Sequence, residues 1–349
     1  MLSRSLRMLL TGVLPVCVCM VLLVSPAGAT SRSQTSQATV SAHHVISHVV
    51  TQSVAEVQAY WTPERMKSAK SLDELIVPAT KTTHPAVTQT GPAGFTAPAL
   101  PQNAQSSSTL GSTNGSVVPH GLPVPPIAYS LFPFSTVGKE FFTQNGHNFA
   151  CSGAALNSSN KSVVDTAGHC VSDGAGHFDS FFEFCPQYLN GVAPKGCWVA
   201  RNLVTRTDWF QSGSFEDDLG EAAVSPNNGN LLVNVVGGLG SAYNISPNQT
   251  FTALGYPAKP NPPYDGNKMI LCLPTGPSIV TGLDDGTVVA IPCDMKQGSS
   301  GGPWLISINK VTGYVNGHND FGYTNDPKDL YSPYYDSDWF SLFNFTQGL

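Results

Sequence analysis

From Tyr129 onward, short apolar runs alternate with clusters of glycine, asparagine, aspartate and proline, and this rhythm most constrains the fold. The runs lie at Phe149 to Leu156, Ser162 to Ala167, Leu231 to Val236, Phe251 to Gly255, Met269 to Leu273, Thr287 to Ile291, Trp304 to Ile308 and Val311 to Asn316. Runs this short, bounded by turn-forming residues, read as strands. Their spacing predicts an all-β, antiparallel sandwich or barrel. Near the end, Asp338 to Phe343 reads as a short helix covering apolar surface. With 33 glycines and 27 prolines in 349 residues, turns and extended segments are favoured over long helices.

The first third has a different texture. Arg4 and Arg7 precede an apolar stretch from Met8 to Val24, and Ala27-Gly28-Ala29 offers a small-residue cleavage site. Residues 1–29 therefore read as a secretory signal peptide, and the mature chain is expected to be extracellular, with no membrane attachment. Residues 30–128 lack cysteine and are rich in Ser, Thr, Gln, Pro and Ala, a composition that buries too little apolar surface to order itself. They are expected to be a largely disordered pro-segment and linker. Ser41 to Lys70 is the exception: Val45, Ile46, Val49, Val50, Val54 and Val57 recur at near-helical spacing and predict a short amphipathic helix. Residues 129–349 are then the functional domain, expected to be a monomer.

The formal net charge of -6 leaves no basic footprint for nucleic acid. Once Cys17 and Cys19 leave with the signal, Cys151, Cys170, Cys185, Cys197, Cys272 and Cys293 remain. An even number in an exported chain predicts disulfides, and pairing of sequence neighbours closes the shortest loops. No close C-x-x-C pair favours metal, and no cofactor is expected.

Two motifs carry chemistry. Gly298-Ser299-Ser300-Gly301-Gly302-Pro303 places a serine in a glycine-rich turn, and Thr166-Ala167-Gly168-His169-Cys170 places a histidine after an apolar run. A serine hydroxyl becomes a nucleophile when a neighbouring base takes its proton, and free backbone N–H groups can stabilise the resulting oxyanion. Ser300 is the candidate nucleophile, His169 the base, and the N–H groups of Gly298 and Ser300 the oxyanion hole. Choosing Ser299 would put Gln297 in that hole. A carboxylate must orient the imidazole. Asp218 in Glu216-Asp217-Asp218-Leu219-Gly220 directly precedes an apolar strand and is preferred, with Asp217 second and Asp208 and Asp165 outsiders. The G-x-S-x-G frame of lipases fails, because the order Ser, acid, His is not available after Ser300.

TAGHC, DLGEAAV and GSSGGPW, in this order, resemble the three motifs of chymotrypsin-like serine peptidases, and the texture looks closer to secreted bacterial members, including the glutamyl-endopeptidase branch, than to animal digestive enzymes. The resemblance spans about Tyr129 to Leu349. It implies two six-stranded antiparallel β-barrels with the site between them, and a Cys151–Cys170 link. The Asp that precedes the nucleophile in digestive members is replaced by Ser299, so activation by pairing with a new N-terminus cannot operate in that form. For the substrate pocket, Asp294 stands six residues before Ser300, where an Asp selects Arg or Lys in trypsin-like members. Asn316 and His318 lie on the strand that resembles the pocket-lining one, and His318 would favour an acidic side chain. The sequence leaves these alternatives open.

The resulting expectation is a secreted serine endopeptidase acting on polypeptides through an acyl-enzyme, with activity rising as pH passes through about 6.5. The competing reading is an inactive relative that uses the same cleft to bind proteins.

Overall fold

The computed structural model describes residues 39–40, 44–72, 76–77, 91–102, 121–273, 278–283, 286–323 and 326–349. The expected signal peptide and most of the Ser/Thr/Pro-rich tract lie outside them. Six strands dominate the first half: β1 Val137–Gln144, β2 His147–Leu156, β3 Val163–Ala167, β4 Ser180–Pro186, β5 Trp198–Arg206 and β6 Leu219–Val224. Asn145 and Gly146 join β1 to β2, both at positive φ (50° and 77°), as a two-residue hairpin with the native strand twist requires. The antiparallel pairings β1–β2, β2–β3, β3–β6, β6–β5, β5–β4 and β4–β1 close a six-stranded barrel. Phe142, Phe182, Phe184, Leu203 and Ala222 are among the side chains that fill it.

The second half contains β7 Gly240–Tyr243, β8 Thr252–Gly255, β9 Ile270–Cys272, β10 Ile279–Leu283, β11 Gly286–Pro292, β12 Pro303–Ile306, β13 Tyr314–His318, β14 Phe321–Tyr323 and β15 Asp326–Pro333. One sheet runs β7-β13-β12-β8-β9 and the other β10-β11-β15-β14. The chain passes between them at Asn319-Asp320. The C-terminal helix, Ser337–Thr346, starts at Asp336, whose side chain accepts from the Asp338 and Trp339 amides, and it buries Trp339, Leu342 and Phe343. The architecture is mostly β, one closed six-stranded barrel and two further sheets where the resemblance implied a second six-stranded barrel, with a short C-terminal helix. The six cysteines pair as sequence neighbours, Cys151–Cys170, Cys185–Cys197 and Cys272–Cys293.

Three local expectations differ from the structure. Leu231 to Val236 is not a strand but a short helix, Leu232–Val236, which buries Leu232, Val233 and Val236 and ends at Gly237 with φ 83°. So short an apolar run satisfies either periodicity. Strands β1, β4 and β5 escape the apolar pattern because Lys139, Glu140, Glu183 and Arg206 are buried within them. The segment read as one amphipathic helix is a strand, Val45–Val49, followed by helices Val54–Tyr60 and Pro63–Ser68. The β-branched pairs favour extended backbone. The first helix begins only where Ser53 and Glu56 form a capping box.

That segment belongs to the folded body. Val45–Val49 adds antiparallel to β5, Val45 and Val57 are fully buried, and Trp61 Nε1 donates to Phe181 O at 2.6 Å. Val124 and Ala128 also enter the core, so the compositional boundary at 128/129 is not a packing boundary.

Several carboxyl groups on and beside the strands of the first barrel are buried. Burial pushes Glu183 up to about 8 and Asp165 up to about 7, although Tyr335 and Trp339 donate to Asp165. Burial also raises Glu140, Asp179 and Glu221 well above the usual range. A carboxyl whose folded pKa exceeds its unfolded value contributes stability that is complete below the unfolded pKa and is lost as pH rises through the folded one. Lys139, pushed down to about 8 by burial, works the other way only above that pH. The melting temperature is therefore expected to fall by on the order of 10 °C between pH 4.5 and 8. Scanning calorimetry across that range checks this, and a flat or rising profile contradicts it.

Candidate active site

His169 lies in the short turn Gly168–Cys170 that follows β3, anchored by the disulfide from Cys170 to Cys151 in β2. The β3–β6 register pairs Ala167 with Leu219, which carries Asp218 to the level of the histidine turn. Asp218 Oδ1 accepts the backbone N–H of His169 at 2.7 Å, and Oδ2 lies 2.8 Å from its Nδ1. Both residues are almost fully buried. This pairing assigns the Nδ1 proton toward Asp218 and leaves the Nε2 lone pair available; Nε2 is buried and has no hydrogen-bond partner among the described residues. Trp209 stands edge-on to the imidazole, its ring centre 6.1 Å away. Asp217, the second choice for the acid, instead pairs with Arg206 at 3.1 Å, and Asp165 is held by Tyr335 and Trp339.

The turn that carries Ser300 comes from the other half of the molecule and is clamped to β2. Ser152 N donates to Ser300 O at 2.8 Å, and Ser152 Oγ donates to Gly298 O at 2.8 Å. Within the turn, Ser299 N donates to Lys296 O, Gly301 N to Asn319 O and Gly302 N to Ser299 O. The N–H groups of Gly298 and Ser300 take no acceptor among the described residues. Those two unused donors are the pair expected from the motif. Gly298 has φ 90°, a conformation favouring glycine, and a Cβ there would stand 2.9 Å from Tyr256 O. Ser300 is buried, as is Ser299.

The proposed pocket residues fare differently. His318 is fully buried behind the site, its Nδ1 2.9 Å from Tyr335 Oη, and burial pushes it down to about 4. It is therefore not a surface for an acidic substrate side chain. Asn316 spends its amide on Ala242 O at 2.7 Å. Asp294, next to the Cys272–Cys293 disulfide, accepts from Tyr264 Oη at 2.6 Å and Gly121 N at 2.9 Å. Sequence reasoning missed Asp320, whose Oδ1 lies 3.3 Å from His169 Nδ1. The available signal was a lone acid in the run Val315-Asn316-Gly317-His318-Asn319-Asp320-Phe321, beside the residue that holds the Gly301 amide.

Two solved structures share fold and sequence with this chain over nearly their whole length. Protease Anisep from Arthrobacter nicotinovorans is 35% identical with a TM-score of 0.57, covering 62% of this chain and 96% of its own. The chain belongs to the chymotrypsin-like serine peptidases. The thermostable serine protease AL20, from an extremophilic microorganism, is also 35% identical, with a TM-score of 0.55 and coverage of 64% and 99%. A Glu endopeptidase in complex with MPD, 17% identical with a TM-score of 0.51 over 66% of this chain and 97% of that one, shares the fold alone. No family profile and no curated protein matches the chain. Within this peptidase family, the elements described above supply a histidine–carboxylate pair and a serine turn from opposite halves of the fold.

Proposed function

We propose that this chymotrypsin-like peptidase is a secreted serine endopeptidase in which Ser300, His169 and Asp218 act as nucleophile, base and orienting carboxylate. The observation that carries the reading is the His169 imidazole, locked through Nδ1 onto buried Asp218 with Nε2 unpartnered. Ser300 Oγ attacks the peptide carbonyl carbon as His169 Nε2 takes its proton, and the Gly298 and Ser300 N–H groups hold the oxyanion. His169 returns the proton to the leaving nitrogen, which leaves an ester on Ser300. Water, deprotonated by the same Nε2, then releases the acid. Three disulfides, and the lack of a membrane-length apolar helix among the described residues, support an extracellular site of action.

The N-terminal segment is read as a pro-segment that covers this cleft. Lys70 and Ser71 pair with Phe149 and Ala150 of β2, and Leu72 N donates to Ala150 O. Ser71 Oγ stands 2.6 Å from where a Gly298 Cβ would be, beside the proposed oxyanion hole. Ile76 and Val77 pair with Gly322 and Tyr323 of β14. These contacts support chain lying on either side of the Ser300 turn.

Intact-mass labelling with a fluorophosphonate tests both parts. One adduct mapped to Ser300 is expected once a cut at Lys70 frees the covering strands while Val45–Val49, Val57 and Trp61 stay in the core, with slow labelling of the uncut chain. No adduct on the cut form, its melting curve intact, overturns the serine mechanism in favour of a binding module. Equal labelling of both forms overturns the covering role alone.

A further inference from the structure

Asp320 faces the same imidazole N–H as Asp218. It sits in the bend between β13 and β14, where its backbone N–H donates to Tyr331 O at 3.0 Å. Its side chain is fully shielded from solvent, and Oδ1 lies 3.3 Å from His169 Nδ1, against 2.8 Å for Asp218 Oδ2. Among the described residues, no donor other than that imidazole is directed at either Asp320 oxygen. Asp218 holds the shorter contact and also accepts the His169 backbone N–H.

The surroundings offer nothing to neutralise a second charge. From the first barrel, His169 and Asp218 face Asp320. From its own half come the Tyr335 phenol and, two residues back, His318, which burial keeps neutral. Among the described residues no lysine or arginine pairs with it. Two adjacent carboxylates in a dry site cannot both ionise. Burial and then Asp218 push Asp320 well above the usual carboxyl range. Asp218, and after it Asp320, outweigh the effect of burial on His169 and push its imidazole up to about 10, and any charge on Asp320 adds to that push. A histidine kept protonated by a second such charge cannot serve as a base near neutrality.

We propose that Asp320 is a neutral carboxylic acid that donates its O–H to Asp218, so that a single buried negative charge faces the His169 imidazole. The proposal rests on the triad reading above. Asp320 touches no reacting atom; it is a positioning residue. Its proton gives Asp218 a third donor and fixes the plane of that carboxylate, which in turn fixes the imidazole. No proton leaves Asp320 during turnover, and the base remains His169 alone.

The test compares Asp320→Asn, a neutral donor of the same shape, with Asp320→Leu, which fills the space without a donor. Wild type is expected to show an acid limb of kcat/KM in the ordinary histidine range. Asp320→Asn should keep that limb within half a unit or so and retain kcat/KM to within roughly threefold, because the amide replaces the acid donor. Asp320→Leu should lose roughly 10- to 100-fold in kcat, the effect of one hydrogen bond to a charged group, with KM little changed. An acid limb that drops by a unit or more in Asp320→Asn shows that Asp320 was charged and overturns the proposal. So does full activity in Asp320→Leu. If Asp320→Leu fails to fold, judged by its melting curve, the Asp320→Asn profile decides alone. Fluorophosphonate labelling of the wild type keeps the two levels apart: no adduct at Ser300 defeats the triad reading itself, whereas an adduct with a shifted Asp320→Asn profile defeats only the carboxyl pairing.

Discussion

Ser300→Ala is expected to lower kcat by about six orders of magnitude while the fold and the three disulfides persist, because removing the nucleophile of such a triad leaves only the oxyanion donors and substrate binding. The change deletes one oxygen atom. The contacts that hold the turn run through the backbone, from Ser152 N to Ser300 O and from Gly301 N to Asn319 O, and none requires the hydroxyl. Polypeptide binding should therefore survive, and the melting temperature should move by no more than a few degrees. Steady-state hydrolysis of a peptide ester or amide, alongside a melting curve, measures both. A variant that retains a tenth of the activity would remove Ser300 from the mechanism.

Asp218→Asn should lower kcat by about 10⁴ near neutral pH. Asp218 accepts two hydrogen bonds from His169, from the backbone N–H and from the ring Nδ1–H. An amide that turns its NH₂ toward Nδ1 makes that nitrogen an acceptor and moves the imidazole proton to Nε2. There it can no longer take the proton from Ser300. The loss also removes the charge that stabilises the imidazolium formed during attack. The same change at Asp217 should cost less than about tenfold, because Asp217 pairs with Arg206 at the margin of the site and does not reach the imidazole. Equal losses at the two positions would contradict the assignment.

Much of this arrangement is legible in the chain because it is enforced over short distances. Most short apolar runs between turn residues pair as strands, Leu231 to Val236 being a helix instead, and the C-terminal run Asp338 to Phe343 lies within an observed helix. Six cysteines close three short loops between neighbours. The residue types around His169 and Ser300 carry their chemistry in a few consecutive positions. Reading was weaker where one pattern fits two structures. The valines of 45–57 suit a helix or a strand, and β5 offered an edge that decided the first half of them. Strands β1, β4 and β5 hid because their outer faces are buried as well, where Lys139 donates to Gly266 O and burial shifts Lys139 and Glu183 toward their neutral forms.

The residues around the imidazole divide the same way. Sequence by itself determined the all-β class, the disulfide pairing and which serine, histidine and acidic cluster to consider, since each depends on local backbone geometry or on a motif of a few residues. Tertiary structure alone decided that Asp218 and not Asp217 meets the histidine, through the register of β6 on β3. It alone turned His318 inward against Tyr335 and brought Asp320, about a hundred residues away in sequence, against the same N–H as Asp218. Desolvation and the repulsion of like charges act through space, and no spacing along the chain records them.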